Sequence, residues 1–238
     1  MLSVAPLFSM TTPNFAEGEV ILIDKPLGWT SFDIVKKLRY GLKVKKIGHA
    51  GTLDPLATGL LILCTGKKTK EIDSYQAQEK EYTGTITLGA RTPSYDMETE
   101  VEQVADASNL TEEEINKALS QFRGDIEQVP PQHSAIKVDG KRAYLNARAG
   151  KPQKLDPRKV HIATFEIESW QPPHLNFKVV CSKGTYIRSL ANDLGDHLGV
   201  GGHLSALRRT RIGNFKVSEA EEPLAYLEKY RPRLHEDS

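Results

Sequence analysis

The sequence of 238 residues predicts a fold that combines strands with helices, either in one elaborate domain or in two small ones. Residues 80–89 alternate between apolar and polar side chains, as a half-buried strand does, and Tyr82 falls on the apolar side. Leu60 to Cys64 is a short apolar run bounded by turn residues, which indicates a fully buried strand. Thr30 or Ser31, followed by an acid, has the form of a capping box and predicts the start of a helix.

The first half of the chain is predicted to begin with a strand, a turn and a helix. The strand covers residues 19–23 and ends at the turn Asp24-Lys25-Pro26. The helix is predicted to turn Phe32, Val35 and Leu38 inward, because their spacing places them on one face. Its basic residues then face solvent.

The second half is predicted to alternate helices with strands. Residues 91–107 are polar and poorly periodic, so we expect a loop or an edge hairpin there. The other predicted elements are a helix from Thr111 to Gly124, strands over residues 161–168 and 175–181, a helix capped by Thr185, and a short helix over residues 218–230.

One stretch has an unusual density of backbone-controlling residues, Gly48-His49-Ala50-Gly51-Thr52-Leu53-Asp54-Pro55-Leu56-Ala57-Thr58-Gly59. A residue before proline is held away from helical geometry, so we expect Asp54 to lie on a fixed turn. The buried strand that follows is a rigid support for this turn. Two interpretations stay open at this point: Asp54 carries chemistry, or it caps a short helix that starts at Pro55.

The net charge of +1 conceals a separation of charge along the chain. Residues 34–53 contain six Lys or Arg and no acid, and residues 137–159 contain eight against two Asp. Such blocks are either solvated faces or the electrostatic footprint of phosphate binding. Because the two blocks flank the Asp54 loop, the pattern favours RNA as a partner.

Composition excludes several other classes of protein. Cys64 and Cys181 both lie in apolar runs, so we expect buried thiols in a reducing cytoplasm, without a disulfide or a metal site. No apolar run approaches the length of a membrane span. Residues 1–16 lack the basic start of a targeting segment, and we expect a disordered tail there.

The string GHAGTLDPLATGLL at residues 48–61 closely resembles the catalytic motif of the TruB family of tRNA pseudouridine-55 synthases. Other segments resemble motifs of the same family and occur in its order, so that the resemblance covers about residues 19–217. These segments are Asp24-Lys25-Pro26 with Thr30-Ser31, Lys80-Glu81-Tyr82-Thr83-Gly84, Lys183-Gly184-Thr185-Tyr186-Ile187-Arg188 and Leu204-Ser205-Ala206-Leu207-Arg208-Arg209.

The resemblance implies an α+β pseudouridine synthase fold, with a central mixed, mostly antiparallel sheet and flanking helices. It implies a catalytic domain over residues 17–238, in which residues 128–150 form a basic, RNA-gripping thumb. Many family members continue into a C-terminal RNA-binding domain of the PUA type, and we expect this chain to be a short form without it. The implied partner is tRNA, bound through its T stem and loop by a cytoplasmic monomer with no cofactor, metal, protein partner or membrane.

The resemblance also implies roles for individual residues. Asp54 is the nucleophile, Tyr82 stacks on the target base and assists proton removal, and Arg188 pairs with Asp54 and holds it ionised. The residues implied to bind substrate or RNA are His49, Lys25, Tyr186, Leu207, Lys137, Lys141 and Arg142.

One position departs from the family pattern, because His133 stands where members usually carry an aromatic such as tyrosine. This departure puts one RNA contact in question. The sequence also leaves open whether Asp54 attacks the base or the sugar.

Two other functional classes have less support. A hydrolytic glycosidase would normally use two carboxylates at a set separation, and only Asp54 has a motif-like setting. A non-catalytic RNA-binding module would account for the basic blocks, but it would not need the rigid loop around Asp54.

Overall fold

The computed structural model describes residues 13–134, 137–138, 141–143 and 153–231. The strands are β1 (Val20–Lys25), β2 (Ile47–Ala50), β3 (Ala57–Thr65), β4 (Lys80–Leu88), β5 (Ala90–Arg91), β6 (Glu102–Gln103), β7 (Gly124–Gln128), β8 (Lys137–Val138), β9 (Lys141–Arg142), β10 (Arg158–Gln171), β11 (His174–Cys181), β12 (Gly202–Ile212) and β13 (Phe215–Lys216). The helices are α1 (Ser31–Gly41), α2 (Ile72–Ala77), α3 (Glu112–Leu119), α4 (Ile187–His197) and α5 (Pro223–Tyr230).

Among the residues described, nine strands form one sheet, whose central order is β1-β3-β12-β4-β11-β10-β7. Strand β2 pairs with β3 and β13 pairs with β12. Within this sheet β3 and β12 run parallel, and the other pairs are antiparallel. The fold is therefore α+β with a mixed, mostly antiparallel sheet, which confirms the fold that the resemblance implied.

One face of the sheet carries a row of residues that crosses five neighbouring strands. The register pairs Lys25 with Gly59, Gly59 with Arg209, Arg209 with Tyr82, and Tyr82 with Val179. Directly paired residues point to the same side of a sheet, so these five share one face.

Two apolar clusters flank this row and leave a cleft between them. On one side, β1 and β3 pack against α1 and α5. On the other side, β4, β10 and β11 pack against α3 and α4. A third cluster, on the opposite face of the sheet, joins β3 to α2 and the β12–β13 hairpin. The clusters thus define two helical lobes on this face of the sheet; within the row, Arg209 and Tyr82 line a cavity, whereas Lys25 is fully buried.

Helix α1 confirms the predicted capping box but corrects one predicted side-chain direction. Thr30 accepts from the Asp33 backbone N–H, and the Asp33 carboxylate accepts from the Thr30 N–H. Phe32 was predicted to face inward, yet it is 68% exposed. The buried stripe is formed instead by Ile34, Val35 and Leu38. Phe32 lies outside this stripe around the helix axis and therefore faces solvent.

Helix α4 begins later than predicted and has no side-chain cap, but a residue of β7 holds its N-cap residue. The Thr185 hydroxyl donates to the Ser182 carbonyl at 3.0 Å and makes no cap, so the predicted cap was wrong. Tyr186 is the N-cap residue and supplies no side-chain bond. The Gln128 side chain, from β7, accepts from the Tyr186 N–H at 2.8 Å and donates to its carbonyl at 3.0 Å.

Other predicted elements are present, but their first and last residues differ from the prediction. A loop or an edge hairpin was predicted over residues 91–107; β5 and β6 do pair there, but they form a separate two-stranded sheet and do not extend the edge of the main sheet. The helix predicted from Thr111 to Gly124 ends at Leu119, a 3-10 turn covers Ser120–Phe122, and Gly124 begins β7. Both later strands, β10 and β11, are longer than predicted, and Pro172-Pro173 forms the turn between them.

The predicted disordered tail over residues 1–16 is only partly covered by the structure. Residues 1–12 lie outside the described range. Residues 13–16 lie inside that range: Asn14 accepts from the Gly18 N–H, and Phe15 packs against the cluster under α1. An apolar ring with a core to contact explains why this part of the tail is held.

The capping box of α3 permits a stability test away from the cleft. Replacing Thr111 by Ala removes the hydroxyl that accepts from the Glu114 N–H at 3.2 Å. We expect the free energy of unfolding to fall by about 1 kcal/mol in urea denaturation. Thr111→Ser keeps the hydroxyl and is expected to unfold like the wild type. Equal stability of all three proteins would show that this cap contributes nothing.

Candidate active site

Asp54 lies in the turn that joins β2 to β3, and the first residue of α1 holds this turn in place. The buried Ser31 hydroxyl accepts from the Leu53 N–H at 2.9 Å and donates to the Leu53 carbonyl at 3.1 Å. The Gly28 N–H donates to the Pro55 carbonyl at 2.8 Å. No helix starts at Pro55, since β3 begins two residues later, so the interpretation of Asp54 as a helix cap was wrong. The backbone on both sides of Asp54 is fixed by bonds to the start of α1.

Arg209, on β12, forms hydrogen bonds to the same loop from the sheet beneath it. Its side chain is fully buried, and its Nε donates to the Leu60 carbonyl at 2.8 Å while Nη2 donates to the Gly51 carbonyl at 3.0 Å. Gly59 is required beside it, because a Cβ atom there would lie 2.3 Å from the Arg209 carbonyl oxygen and its φ is +103°. Carbonyl oxygens thus satisfy a buried guanidinium that would otherwise be costly.

A single arginine stands between two carboxylates at the cleft. Arg188 Nη2 lies 2.9 Å from Asp54 Oδ2, and Arg188 Nε lies 3.5 Å from Asp96 Oδ2. The arginine also donates to the Ser94 carbonyl at 3.2 Å and to the His133 carbonyl at 3.1 Å. The Arg188 side chain is 5% exposed, whereas that of Asp54 is 45% exposed. Asp54 is therefore the accessible end of a buried ion-pair chain, and the expected Arg188–Asp54 pair is present.

Asp96 was missed in the sequence, where residues 91–107 look like an ordinary polar loop. In the structure this carboxylate is buried, and the loop around it is closed by its own side chains. Thr92 Oγ1 donates to the Asp96 carbonyl at 2.7 Å, and the Asp96 Oδ1 accepts from the Glu98 N–H at 3.0 Å. Thr99 Oγ1 accepts from the Ser94 N–H at 3.0 Å. The dense Thr, Ser and Asp content of the segment was the available signal, because these side chains favour local bonds to the backbone.

The electrostatics of Asp54 differ from the expectation that Arg188 simply holds it ionised. Although 45% of the Asp54 side chain is exposed, the protein around it displaces water and raises its pKa above the ordinary value; Arg188 opposes this shift without cancelling it. The negative charges of Asp96 and Glu98 add to the rise. The carboxylate is therefore more basic than a free aspartate, which favours attack or proton acceptance by this group.

A cavity of about 560 Å³ opens beside Asp54 and is lined by the catalytic loop, the sheet and the start of α4. Tyr82 and Leu207 line it from the sheet, and Tyr186 and Arg188 line it from the start of α4. Burial raises the pKa of the Tyr82 hydroxyl, so that tyrosine stays neutral. The Arg158 guanidinium lies 5.0 Å from the centre of the Tyr186 ring, a cation–π contact. The cavity thus combines aromatic, apolar and cationic walls around one carboxylate.

Lys25 lies near the site, as the resemblance implied, but its ammonium is fully buried. Its Nζ donates to the Trp29 carbonyl at 2.6 Å and to the Pro26 carbonyl at 3.0 Å. Burial lowers the pKa of Lys25 to about 8, and the charge of Asp54 partly opposes that fall. A contact between Lys25 and RNA is therefore not available here, and its observed contacts support the turn before α1.

His49 is half-buried on β2, where it pairs with Leu63, and it does not line the cavity. Burial and the nearby charge of Arg209 lower its pKa, so the imidazole stays neutral. Its Nδ1 is buried and lacks a hydrogen-bond partner among the described residues.

The predicted thumb is covered only in part. Lys137–Val138 pairs antiparallel with Lys141–Arg142, and the side chains of Lys137, Lys141 and Arg142 lie outside the described residues. His133 is half-buried, and its contact with Arg188 uses the backbone carbonyl, which any residue type could supply.

Other predictions concern metals, thiols and membranes. Cys64 and Cys181 are free and buried as predicted, and burial raises the pKa of each thiol to about 11. Over residues 13–134, 137–138, 141–143 and 153–231, no group of three His, Cys, Asp or Glu side chains is arranged to hold a metal ion. In the same ranges, no helix has the length and apolarity to cross a membrane.

Comparison with known proteins matches two family models to the chain. The model "TruB family pseudouridylate synthase (N terminal domain)" matches residues 39–187, and "tRNA pseudouridylate synthase B C-terminal domain" matches residues 188–235. The chain is 54% identical to tRNA pseudouridine synthase B of Flavobacterium johnsoniae, over 89% of this chain and 95% of the relative. It is 53% identical to the protein of the same name from Chloroherpeton thalassium, over 90% of each.

A solved structure is similar over most of the fold. It is described as the crystal structure of a Cbf5-Nop10-Gar1 complex, and it superposes with a TM-score of 0.72 at 30% identity. The match covers 91% of this chain but spans only 55% of the length of the solved chain.

The two carboxylates on Arg188 permit a test of the site's electrostatics that needs no substrate. Replacing Asp96 by Asn removes a negative charge that raises the pKa of Asp54, and it frees Arg188 to pair with Asp54 alone. We expect the pKa of Asp54 to fall, measured by ¹³C NMR titration of the aspartate carboxyl carbons. The Asp54→Asn spectrum identifies the signal. Asp106→Asn, at an exposed position, is the control and should leave that pKa unchanged. An unchanged or higher Asp54 pKa in Asp96→Asn would contradict this coupling.

Proposed function

The chain belongs to the TruB family of pseudouridylate synthases, and we propose that it isomerises uridine 55 in the T loop of tRNA to pseudouridine. The observation that supports this reaction at this site is the half-exposed Asp54, placed at the edge of the cavity and paired with the buried Arg188 at 2.9 Å. The isomerisation needs one carboxylate and a pocket for a base, and it needs no oxidant or reductant.

The reaction breaks the bond between C1′ of the ribose and N1 of uracil and joins C1′ to C5 of the same base. The proton on C5 is then lost to a base, and N1 gains a proton from solvent, so the product is an isomer of the substrate. Asp54 is the proposed nucleophile, which divides one difficult step into easier ones. Attack on the sugar carbon and attack on the base both remain compatible with its position.

The target base must leave the stack of the T loop to reach Asp54. The cavity of about 560 Å³ is within the usual size range of sites that enclose small ligands. Tyr82 is proposed to stack on the extruded base and to assist removal of the C5 proton. Leu207 is proposed to close the wall, and His49 to fill the space that the base leaves in the loop.

We propose that basic residues around the cleft bind the rest of the RNA. Arg158 and Lys183 line the cavity, and Lys137, Lys141 and Arg142 belong to the proposed thumb over residues 128–150. Such phosphate contacts position the RNA but do not read its sequence. Specificity is then proposed to come from the folded shape of the T stem and loop. We further propose that the protein acts as a cytoplasmic monomer.

Hydrolysis of a glycosidic bond is less well supported by the site. Asp96, the second carboxylate near Asp54, is buried and lies against Arg188, and it does not line the cavity. A water-activating carboxylate on the far side of a bound sugar, which an inverting enzyme requires, is not among the described lining residues.

Asp54→Asn tests the nucleophile directly, because it keeps the size and polarity of the side chain and removes its charge. We expect pseudouridine formation in tRNA to be abolished, measured by chemical mapping of the product. The Kd for tRNA should rise by less than about tenfold, equal to about 1.4 kcal/mol. Asp73→Asn, an exposed acid on α2, is the matched control and should be fully active. Turnover by pure Asp54→Asn would exclude Asp54 as the nucleophile.

Arg188→Lys tests whether the planar guanidinium is needed. A lysine ammonium cannot contact Asp54 and Asp96 together with two carbonyl oxygens in the observed geometry. We expect the single-turnover rate to fall by about 100-fold or more, the size of the loss of one aligned charged donor. Arg91→Lys, which changes a half-exposed ion pair with Asp196, should retain the wild-type rate. A wild-type rate in Arg188→Lys would mean that charge alone suffices.

A further inference from the structure

The outward side of α1 is an unusual surface, here called the α1 face and defined as Phe32, Lys36, Lys37, Arg39 and Tyr40. Phe32 is 68% exposed and Tyr40 is 72% exposed, the highest values among the large apolar side chains that the structure describes. The two rings are eight residues apart with Lys36 midway, so they lie along one line about 12 Å long on the helix.

The charge of the α1 face is positive. Lys36, Lys37 and Arg39 are all exposed. Asp33 also points outward, but its carboxylate accepts from the Thr30 N–H at 2.9 Å and from the Thr30 hydroxyl at 2.6 Å. The Asp33 carboxylate is therefore a hydrogen-bond acceptor in the helix cap. The other charged residues of the α1 face are three cations, which lie around the rings of Phe32 and Tyr40.

The α1 face begins at the catalytic loop. Ser31, the residue before Phe32, makes the two hydrogen bonds that hold Leu53 beside Asp54. Helix α1 also packs on the sheet face that carries Tyr82 and Arg209. Leu27 and Leu56, which are exposed, lie in the two loops that meet at the Gly28–Pro55 hydrogen bond. The start of the α1 face is therefore tied to the catalytic loop, while its Lys36, Lys37 and Tyr40 line a groove with α5.

We propose that the α1 face binds substrate RNA outside the catalytic cavity, with phosphates on the basic side chains and unpaired bases stacked on Phe32 and Tyr40. The inference rests on the proposed function for the identity of the RNA. Aromatic rings spaced among cations are how proteins hold single-stranded nucleic acid, because any base can stack and every nucleotide carries a charge. The α1 face adds affinity and sets the direction in which the RNA leaves the cleft.

The composition of the α1 face favours RNA over a protein partner. The centres of protein interfaces are depleted of lysine, since a strongly hydrated ammonium is costly to bury. Here Lys36 lies between the two exposed rings, where a protein interface would be driest. Against a phosphate the same ammonium gains a partner and releases counterions.

The test is a set of binding titrations with a 5′-fluorescein-labelled tRNA transcript at several KCl concentrations. In Phe32→Ala/Tyr40→Ala, we expect the Kd to rise about tenfold or more with an unchanged salt slope, because stacking is lost and charge is not. In Lys36→Ala/Lys37→Ala, we expect the slope of log Kd against log salt to fall by about one to two units. Single-turnover rates at saturating protein should stay within about twofold of wild type, since the α1 face does not touch the reacting base.

Conservative variants and distant positions are the controls. Phe32→Tyr/Tyr40→Phe keeps both rings, and Lys36→Arg/Lys37→Arg keeps both charges, so both should bind as the wild type does. Lys117→Ala, on α3 of the other lobe, removes an exposed charge and should change neither the Kd nor the slope. The proposal would be overturned if Phe32→Ala/Tyr40→Ala bound tRNA with the wild-type Kd. It would also be overturned if Phe32→Tyr/Tyr40→Phe raised the Kd as much as Phe32→Ala/Tyr40→Ala does. A wild-type protein that binds tRNA but forms no pseudouridine would refute the proposed function and leave this binding comparison decisive.

Discussion

The buried guanidinium of Arg188 connects the segments on which the active site depends. It lies between the carboxylates of Asp54 and Asp96 and donates to the carbonyls of Ser94 and His133. These groups come from the catalytic loop, the loop after β5, and the segment after β7. A buried charge is tolerable only when its donors are satisfied, and loss of one partner typically costs about 3–5 kcal/mol. The three segments are therefore held at fixed distances from one another by the cost of leaving Arg188 unsatisfied.

This arrangement separates the position of Asp54 from its ionisation. Arg188 fixes where the carboxylate oxygen lies, while burial and the acids at residues 96 and 98 keep the Asp54 pKa above its ordinary value. A stronger, exclusive pair with Arg188 would lower that pKa and make the carboxylate a poorer nucleophile and base. Sharing the arginine with Asp96 gives Asp54 a defined direction without the full loss of basicity.

The sequence predicts local features of this protein well and long-range polar contacts poorly. The capping box of α1, the alternation of β4 and the pairing of Arg188 with Asp54 follow from short patterns or from one motif. Asp96 does not, because it lies in an aperiodic polar segment far from Asp54 in the sequence. Its role depends on a loop that folds over a helix from the other end of the chain.

Two further contacts could not be predicted from local sequence patterns. Arginine is usually exposed, so no pattern indicates that Arg209 lies fully buried under the catalytic loop. The N-cap residue of α4, Tyr186, is held by Gln128, which is 58 residues before it in the sequence, and the adjacent Thr185 makes no cap. Hydrophobic periodicity reports which face of an element is buried, but it carries no information on which distant polar group completes a hydrogen bond.

The position of β12 determines when the site can form during folding. This strand lies between β3 and β4, which are neighbours in the sequence, and it is the strand that runs parallel to β3. The chain must therefore be complete to about residue 212 before the centre of the sheet can close. Contacts between distant segments incur loop-closure entropy before they stabilise anything, so such sheets fold slowly. The contacts of Arg209 with the Asp54 loop can form only when β12 has entered the sheet between β3 and β4. The nucleotide pocket of the enzyme can therefore form only after β12 has been synthesised.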